Sequence, residues 1–330
     1  SLYLSWKLLM SDNMKFVILG AGNIGTLIGA KLAQLESSSV LIHTRGEHAA
    51  SLAVNGITVS GLETFDLAPN EYLISISDVE INSVFDGLAD YIFITSKAGD
   101  VEELVQLAKR FSNNQTKIII LSNGLGHIEL GSQEFGTHRV IPATTTHGVW
   151  RKAPGCIEWA GSGAINLGQI NNSPNHDELR DLISILESAN LTPLWNEDGQ
   201  SLVWSKVLIN IAINPIAAIT GQKNGELLSS EIFETCTEVM LEGARVARLE
   251  GVMLDDDDKL VDNLKSVLQK TKDNKCSMLQ DVRLGKTTEI MFLNRMIVNR
   301  AEKYGLATPL NQLLSKLIES LSLYLSLIHI

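Results

Sequence analysis

An apolar run, Lys15-Phe-Val-Ile-Leu, breaks into Gly20-Ala21-Gly22-Asn23-Ile24-Gly25 and passes at once into a helical stretch at 26–36. The first glycine permits a tight turn, the second lets backbone approach a pyrophosphate, and the third lets helix and strand pack closely. The helix N-terminus then offers unpaired N–H groups and partial positive charge to phosphates. Gly-x-Gly-x-x-Gly set between a strand and a helix is a sharper signal than the bare motif, whose alternative is a glycine-rich turn that binds nothing. Residues Gly20, Ala21, Gly22, Asn23, Ile24 and Gly25 form the candidate dinucleotide cradle.

From residue 15 to about 167 strand and helix alternate, the pattern of a parallel sheet with helices on its faces. Strands are expected at 15–20, 40–44, 90–96, 117–122 and 139–143, with helices at 26–36, 47–54, 99–111 and about 127–134. The stretch 57–76 reads as short strands and loops. Segments 157–160 and 164–168, separated by Gly161-Ser-Gly163, read as a hairpin that extends the sheet. An amphipathic helix at about 176–188 and a connector at 191–199 follow. Strand signals then stop, and 201–213, 230–251, 256–270 and 277–304 carry helical periodicity, with Gly305 as a C-terminal cap. The fold expected is α/β: a Rossmann-type dinucleotide-binding domain at 14–196, then an all-helical C-terminal domain at 197–320. A cleft between two such domains is where small substrates bind.

The 330 residues suffice for two domains with real cores. A formal net charge of −11 argues against nucleic acid or an anionic membrane as partner. No apolar stretch approaches the roughly 18 to 20 residues that span a bilayer. Cys156, Cys236 and Cys276 are far apart, which argues against a metal site or disulfide framework and fits a reducing, cytoplasmic setting. Segments 1–13 and 321–330 are expected outside the fold. The first carries a single lysine, Lys7, and no small-residue cleavage site, so it does not read as a signal peptide, and Met14 is the expected start.

The second strand ends in His43-Thr44-Arg45, without the acid that holds a ribose 2′-hydroxyl in NAD sites. A guanidinium there suits a 2′-phosphate and favours NADP; otherwise Arg45 is a solvated surface residue. Lys97 and Asn123 follow the next two strands, at the carboxyl ends where open α/β sheets bind ligands. Alone, each also reads as a surface charge or a turn residue. Lys206, Asn210 and Asn214 recur at i, i+4 and i+8 along a very apolar helix and so share one face. That stripe is a site, a structural asparagine network or a solvated edge. Pro215 is expected to kink or stop the helix. Ser277 reads as a helix N-terminal residue, with Glu289 on the same helix three turns later; by themselves these are a cap and a surface carboxylate. His147 reads as a histidine satisfied by backbone, Asp255–Asp258 as a helix start, and Trp195 and Trp204 as packing at the domain junction.

These residues carry a resemblance to the ketopantoate reductase family, the NADPH-dependent 2-dehydropantoate 2-reductases. The matching pieces are Gly-Ala-Gly-Asn-Ile-Gly at 20–25, Lys97, Ser-Asn-Gly at 122–124, Thr-Thr-Thr-His at 144–147, Trp-x-Lys-x-x-x-Asn-x-x-x-Asn-Pro at 204–215, Asn-Gly-Glu-Leu at 224–227, and Ser-Met-Leu-Gln-Asp with Thr-Glu-Ile at 277–290. They run in the family's order from Met14 to about Leu317. The resemblance implies that Lys206 is the proton donor and Glu289 the active-site glutamate, with Asn123, Asn210, Asn214 and Ser277 binding substrate. It implies that Arg45 and Lys97, with Asn123, contact NADP. Cys276 departs from the serine often found there.

Hydride attack on a 2-oxo acid builds negative charge on oxygen, which an ammonium of lowered pKa can neutralise. The expected reaction is reduction of 2-dehydropantoate to (R)-pantoate. Reduction of another small 2-oxo acid, and a nucleotide sensor that has lost chemistry, are the alternatives. The helical domain leaves room for a homodimer.

Overall fold

The computed structural model describes residues 12–77 and 81–328; the expectations for 1–11 and 329–330 lie outside the described residues. The chain forms two compact units. One comprises the residues up to Ser122 together with His127–Leu202; the other comprises Asn123–Gly126 and Val203 onward.

The first unit contains the strands β1 (Met14–Leu19), β2 (Ser38–Thr44), β3 (Ile57–Gly61), β4 (Phe65–Leu67), β5 (Leu73–Ile76), β6 (Tyr91–Ile94), β7 (Lys117–Ile120), β8 (Val140–Thr145), β9 (Gly148–Ala153), β10 (Cys156–Gly161), β11 (Ile165–Gly168) and β12 (Pro193–Asn196). Its helices are α1 (Asn23–Ala33), α2 (Gly46–Val54), α3 (Val101–Phe111), α4 (His127–Phe135) and α5 (Arg180–Ser188). Among the described residues, eight strands form one sheet in the order β12-β11-β8-β7-β6-β1-β2-β5. The run β5-β2-β1-β6-β7-β8 is parallel throughout, so the winding reverses between β1 and β6. Strand β11 returns antiparallel to β8. Because helices cover both faces, α1 and α5 on one side and α3 and α4 on the other, these strands read as unbroken apolar runs rather than alternating ones. Phe16, Ile18, Phe93 and Ile119 enter one core, while Val17, Leu19, Ile92, Ile94, Ile118 and Ile120 enter another.

The expected hairpin at 157–168 does not form. Strand β10 joins a separate sheet of order β4-β3-β10-β9, whereas β11 belongs to the large one. The crossing is fixed at Gly163, where a Cβ would lie 2.3 Å from the carbonyl carbon of Thr146. Gly163 N–H donates to His147 Nδ1 at 3.0 Å, as does Trp159 Nε1–H at 3.3 Å, and His147 Nε2 lies 3.0 Å from the Leu191 carbonyl. His147 is the backbone-satisfied histidine the sequence suggested, its pKa lowered by burial. The connector at 191–199 contains β12, a short edge strand whose first residue is a proline.

The second unit is helical: α6 (Gly199–Thr220), in which the chain passes from one unit to the other, α7 (Ser230–Leu249), α8 (Asp257–Lys270), α9 (Ser277–Arg283), α10 (Asn294–Glu302) and α11 (Pro309–Ile328). Its core forms around α6, where Trp204, Val207, Leu208, Ile211 and Ala212 are buried. Contrary to the sequence expectation, α6 has the length and composition to cross a membrane, with mean hydropathy 1.6 over its most apolar window. In this unit, those apolar residues are the core. Trp204 is part of that core, with the Arg300 guanidinium 5.8 Å from its ring. Asp256 caps α8 by accepting from Lys259 N–H at 2.9 Å, the helix start read from the acidic run.

Three further expectations are corrected in whole or in part. Of the kink or stop expected at Pro215, the stop does not occur, because helix α6 continues through it to Thr220. The span 277–304 is not one helix: α9 ends in a left-handed Gly285 (φ 61°), with Gly285 N–H on the Val282 carbonyl and Lys286 N–H on that of Asp281. That double closure is the Schellman arrangement, which satisfies the last carbonyls and stops the helix. Finally, the apolar tail from 321 continues α11 to Ile328, with Leu321 packed against the core.

Candidate active site

In the second unit, Lys206, Asn210 and Asn214 lie along α6. Lys206 and Asn210 are half-buried and Asn214 is buried. Burial lowers the Lys206 pKa below the ordinary lysine value, and the Glu289 carboxylate acts in the opposite sense. Glu289 does not share a helix with Ser277. It heads the 3₁₀ turn Ile290–Phe292, beyond the Gly285 break, and is only 9% exposed.

Asn123 Nδ2 donates to Glu289 Oε2 at 3.1 Å. The contact depends on Gly124, whose φ of +99° and whose closeness to Phe292 exclude a side chain: a Cβ there would sit 2.6 Å from the Phe292 carbonyl oxygen. Leu125 N–H donates to that same oxygen at 3.0 Å, which ties the loop to the Glu289 turn. Asn123 thus touches Glu289, whose charge in turn acts on Lys206, and these three residues make up the candidate constellation. Ser277 is the exposed first residue of α9, and its neighbour Cys276 takes the capping position. Cys276 Sγ accepts from Leu279 N–H at 3.4 Å and reaches the Asn214 carbonyl at 3.7 Å, anchoring the start of α9 on α6. The departure from serine thus keeps a capping atom at 276.

In the first unit, the glycine cradle fits a pyrophosphate. A Cβ on Gly20 (φ +73°) would lie 2.5 Å from Ser96 Cβ, and one on Gly25 would lie 2.2 Å from Thr95 Oγ1, whereas nothing lies within 4 Å of the Gly22 position. The outer two glycines are needed for packing and the middle one leaves space. Gly22 caps α1 without a side-chain acceptor, and the first turn carries no acid to repel phosphate. Ala21 is buried and Ile24 half-buried, and Asn23 Nδ2 donates to the Val149 carbonyl at 3.2 Å.

Arg45 is exposed at the end of β2 and pairs with Asp100 at 2.8 Å. Lys97, also exposed, precedes the 3₁₀ turn Ala98–Asp100 that carries this acid. Asp100 is not legible as a partner in the sequence, because acids commonly open helices and α3 starts one residue later. His48 is equally silent in the sequence. Its Nδ1 accepts from Gly155 N–H at 3.0 Å, its Nε2 lies 2.8 Å from Thr26 Oγ1, and Thr26 Oγ1 donates to the Gly22 carbonyl at 2.5 Å. Burial, with Arg151 second, depresses the His48 pKa to about 4, so a neutral imidazole supports the cradle.

A family model for ketopantoate reductase PanE/ApbA matches residues 16–172, and the model for the C-terminal part of the same family matches 198–322. The 2-dehydropantoate 2-reductase of Pyrococcus horikoshii is 31% identical over 315 residues, covering 93% of this chain and 97% of that protein. The Vibrio cholerae enzyme of the same name is 30% identical, covering 93% and 98%. Among solved structures, the ternary complex of D-mandelate dehydrogenase with NADH and anilino(oxo)acetate superimposes with a TM-score of 0.84 at 24% identity, covering 94% of this chain and 99% of that one. At that identity, the likeness is one of fold.

Proposed function

The chain belongs to the ketopantoate reductase family, and on that premise we propose that it reduces 2-dehydropantoate to (R)-pantoate with NADPH. When bound, the reduced nicotinamide supplies the hydride that attacks C2 of the 2-oxo acid. Lys206 donates the proton that the developing alkoxide requires and regains one from solvent. A lysine of ordinary pKa, about 10.4, holds its proton too tightly to be an efficient acid near neutrality. Burial weakens that hold, while Glu289 keeps the ammonium from losing its proton outright. Asn123 orients Glu289. Asn210, Asn214 and Ser277 bind the substrate carboxylate and hydroxyl as neutral partners that introduce no competing acid.

In the first unit, Gly20–Gly25 would hold the pyrophosphate, and Arg45 and Lys97 the 2′-phosphate. The absence of an acid at the end of β2 supports NADPH over NADH. The observation that carries the reading is the Asn123–Glu289–Lys206 constellation, because a cradle alone would serve a nucleotide sensor equally well. Consumption of NADPH and NADH should be followed with 2-dehydropantoate and a panel of other 2-oxo acids. Turnover is expected to be fastest with 2-dehydropantoate and NADPH. Faster turnover of another acid would reassign the substrate, and tight NADPH binding without turnover of any acid would make the protein a sensor.

A further inference from the structure

Pro215 has no N–H, so the carbonyl of Ile211, four residues earlier in α6, lacks its helical donor. A buried carbonyl left in that state is costly. Here Asn294 Nδ2 donates to the Ile211 oxygen at 3.0 Å. Asn294 is fully buried, and its Nδ2 also donates to Asn311 Oδ1 at 3.0 Å. Asn311 Nδ2 in turn donates to the Val239 carbonyl at 3.1 Å and to Glu242 Oε2 at 2.9 Å. The buried Glu242 carboxylate also accepts from Leu310 and Asn311 N–H at 3.1 and 3.0 Å, closing the first turn of α11. A carboxylate suits that helix end. Both acceptors facing Asn294 are oxygens, so its amide has one workable orientation, fixed from α11 and α7.

The position of this amide gives it a second consequence. Ile211 follows Asn210 directly on the helix that carries Lys206. Asn294 opens α10, immediately beyond the turn that Glu289 heads. One side chain thus ties the helix of the ammonium to the segment of the carboxylate, across 83 residues of sequence.

We propose that Asn294 is a positioning residue: in taking the place of the missing Pro215 N–H, it holds the Glu289 turn on α6 and so sets Lys206 against Glu289. Its catalytic consequence rests on the function proposed above, and the test separates the two. Asn294→Ala removes both the donor and the tie. Adding Pro215→Ala returns a backbone N–H to the Ile211 carbonyl but does not retie the turn.

The Asn294→Ala variant is expected to melt at lower temperature and to lose roughly 10- to 100-fold in kcat, the scale of a small misplacement of reacting groups. Its affinity for NADPH should be unchanged. The double variant should recover much of the melting temperature while kcat stays low. The Lys206 titration midpoint, read by pH-dependent acetylation and peptide mass spectrometry, should be shifted in both variants. Recovery of kcat together with stability in the double variant would reduce Asn294 to a plug for one carbonyl and overturn the proposal. If the wild-type protein turns over no 2-oxo acid, the proposed function fails and the acetylation profile decides alone. A shifted midpoint that Pro215→Ala leaves shifted supports the positioning role, and an unchanged midpoint refutes it.

Discussion

Lys206 is pulled two ways, downward by desolvation and upward by Glu289, and the sign of each pull is testable. A general acid works only while protonated, so kcat/KM should fall as pH rises through the lysine's lowered pKa. Glu289→Gln removes the upward pull, and the alkaline limb of the pH profile should move to lower pH. Movement to higher pH would place the carboxylate outside this electrostatic role. Arg45 supplies a second residue-level prediction, because Asp100 already occupies its guanidinium. Asp100→Asn should tighten NADPH and leave NADH nearly unchanged, while Arg45→Ala should weaken NADPH by about tenfold or more. Calorimetric titration with both nucleotides would read each change, and equal changes for both would remove the 2′-phosphate from the account. The polar stripe of α6 was legible because unpaired amides on an apolar helix require partners. The partner of Glu289 was not, because Asn123 lies 166 residues away and only the fold brings them together.

Elements whose signals are local were the readable ones. Strands β1, β6 and β7 announce themselves as apolar runs buried on both faces, and α1 follows from the glycine motif. Strand β9 is exposed along most of its length and offers no alternation to read. The break after α9 was hidden because helical periodicity resumes in α10; the signal was Gly285, the left-handed residue that ends the helix. Gly124 is the equivalent point in the site. With a φ of +99° and a Phe292 oxygen 2.6 Å from any Cβ, Gly124→Ala should cost about 1–3 kcal/mol in backbone strain alone. It should also pull Asn123 from Glu289, so thermal melts and kcat should fall together. A variant that melts normally at full activity would contradict the tight turn described here.

At the scale of the whole molecule, the first unit has two hydrophobic cores and the second has its own, and the fold class was legible because strand–helix alternation gives way to helices alone. The pH response of the first unit follows from His48. The unfolded chain titrates near the ordinary histidine value of 6.5 and the folded one at about 4. Between these values the unfolded state binds more protons, so this contribution is full above 6.5 and is lost as pH falls towards 4. The loss is of the order of a few kcal/mol. Melts of the wild type and His48→Gln between pH 7 and 4.5 should converge as acidity increases; parallel curves would show that His48 is not the group responsible. The two units also differ in how they are written into the gene. Because Asn123–Gly126 belongs with the helices, a recombination event or cloning scheme that cut the coding sequence after Leu202 would not yield two working modules. The downstream product would lack the Leu125 N–H on Phe292 and the Asn123 amide on Glu289, so its reactive pair would be misassembled before any substrate arrived.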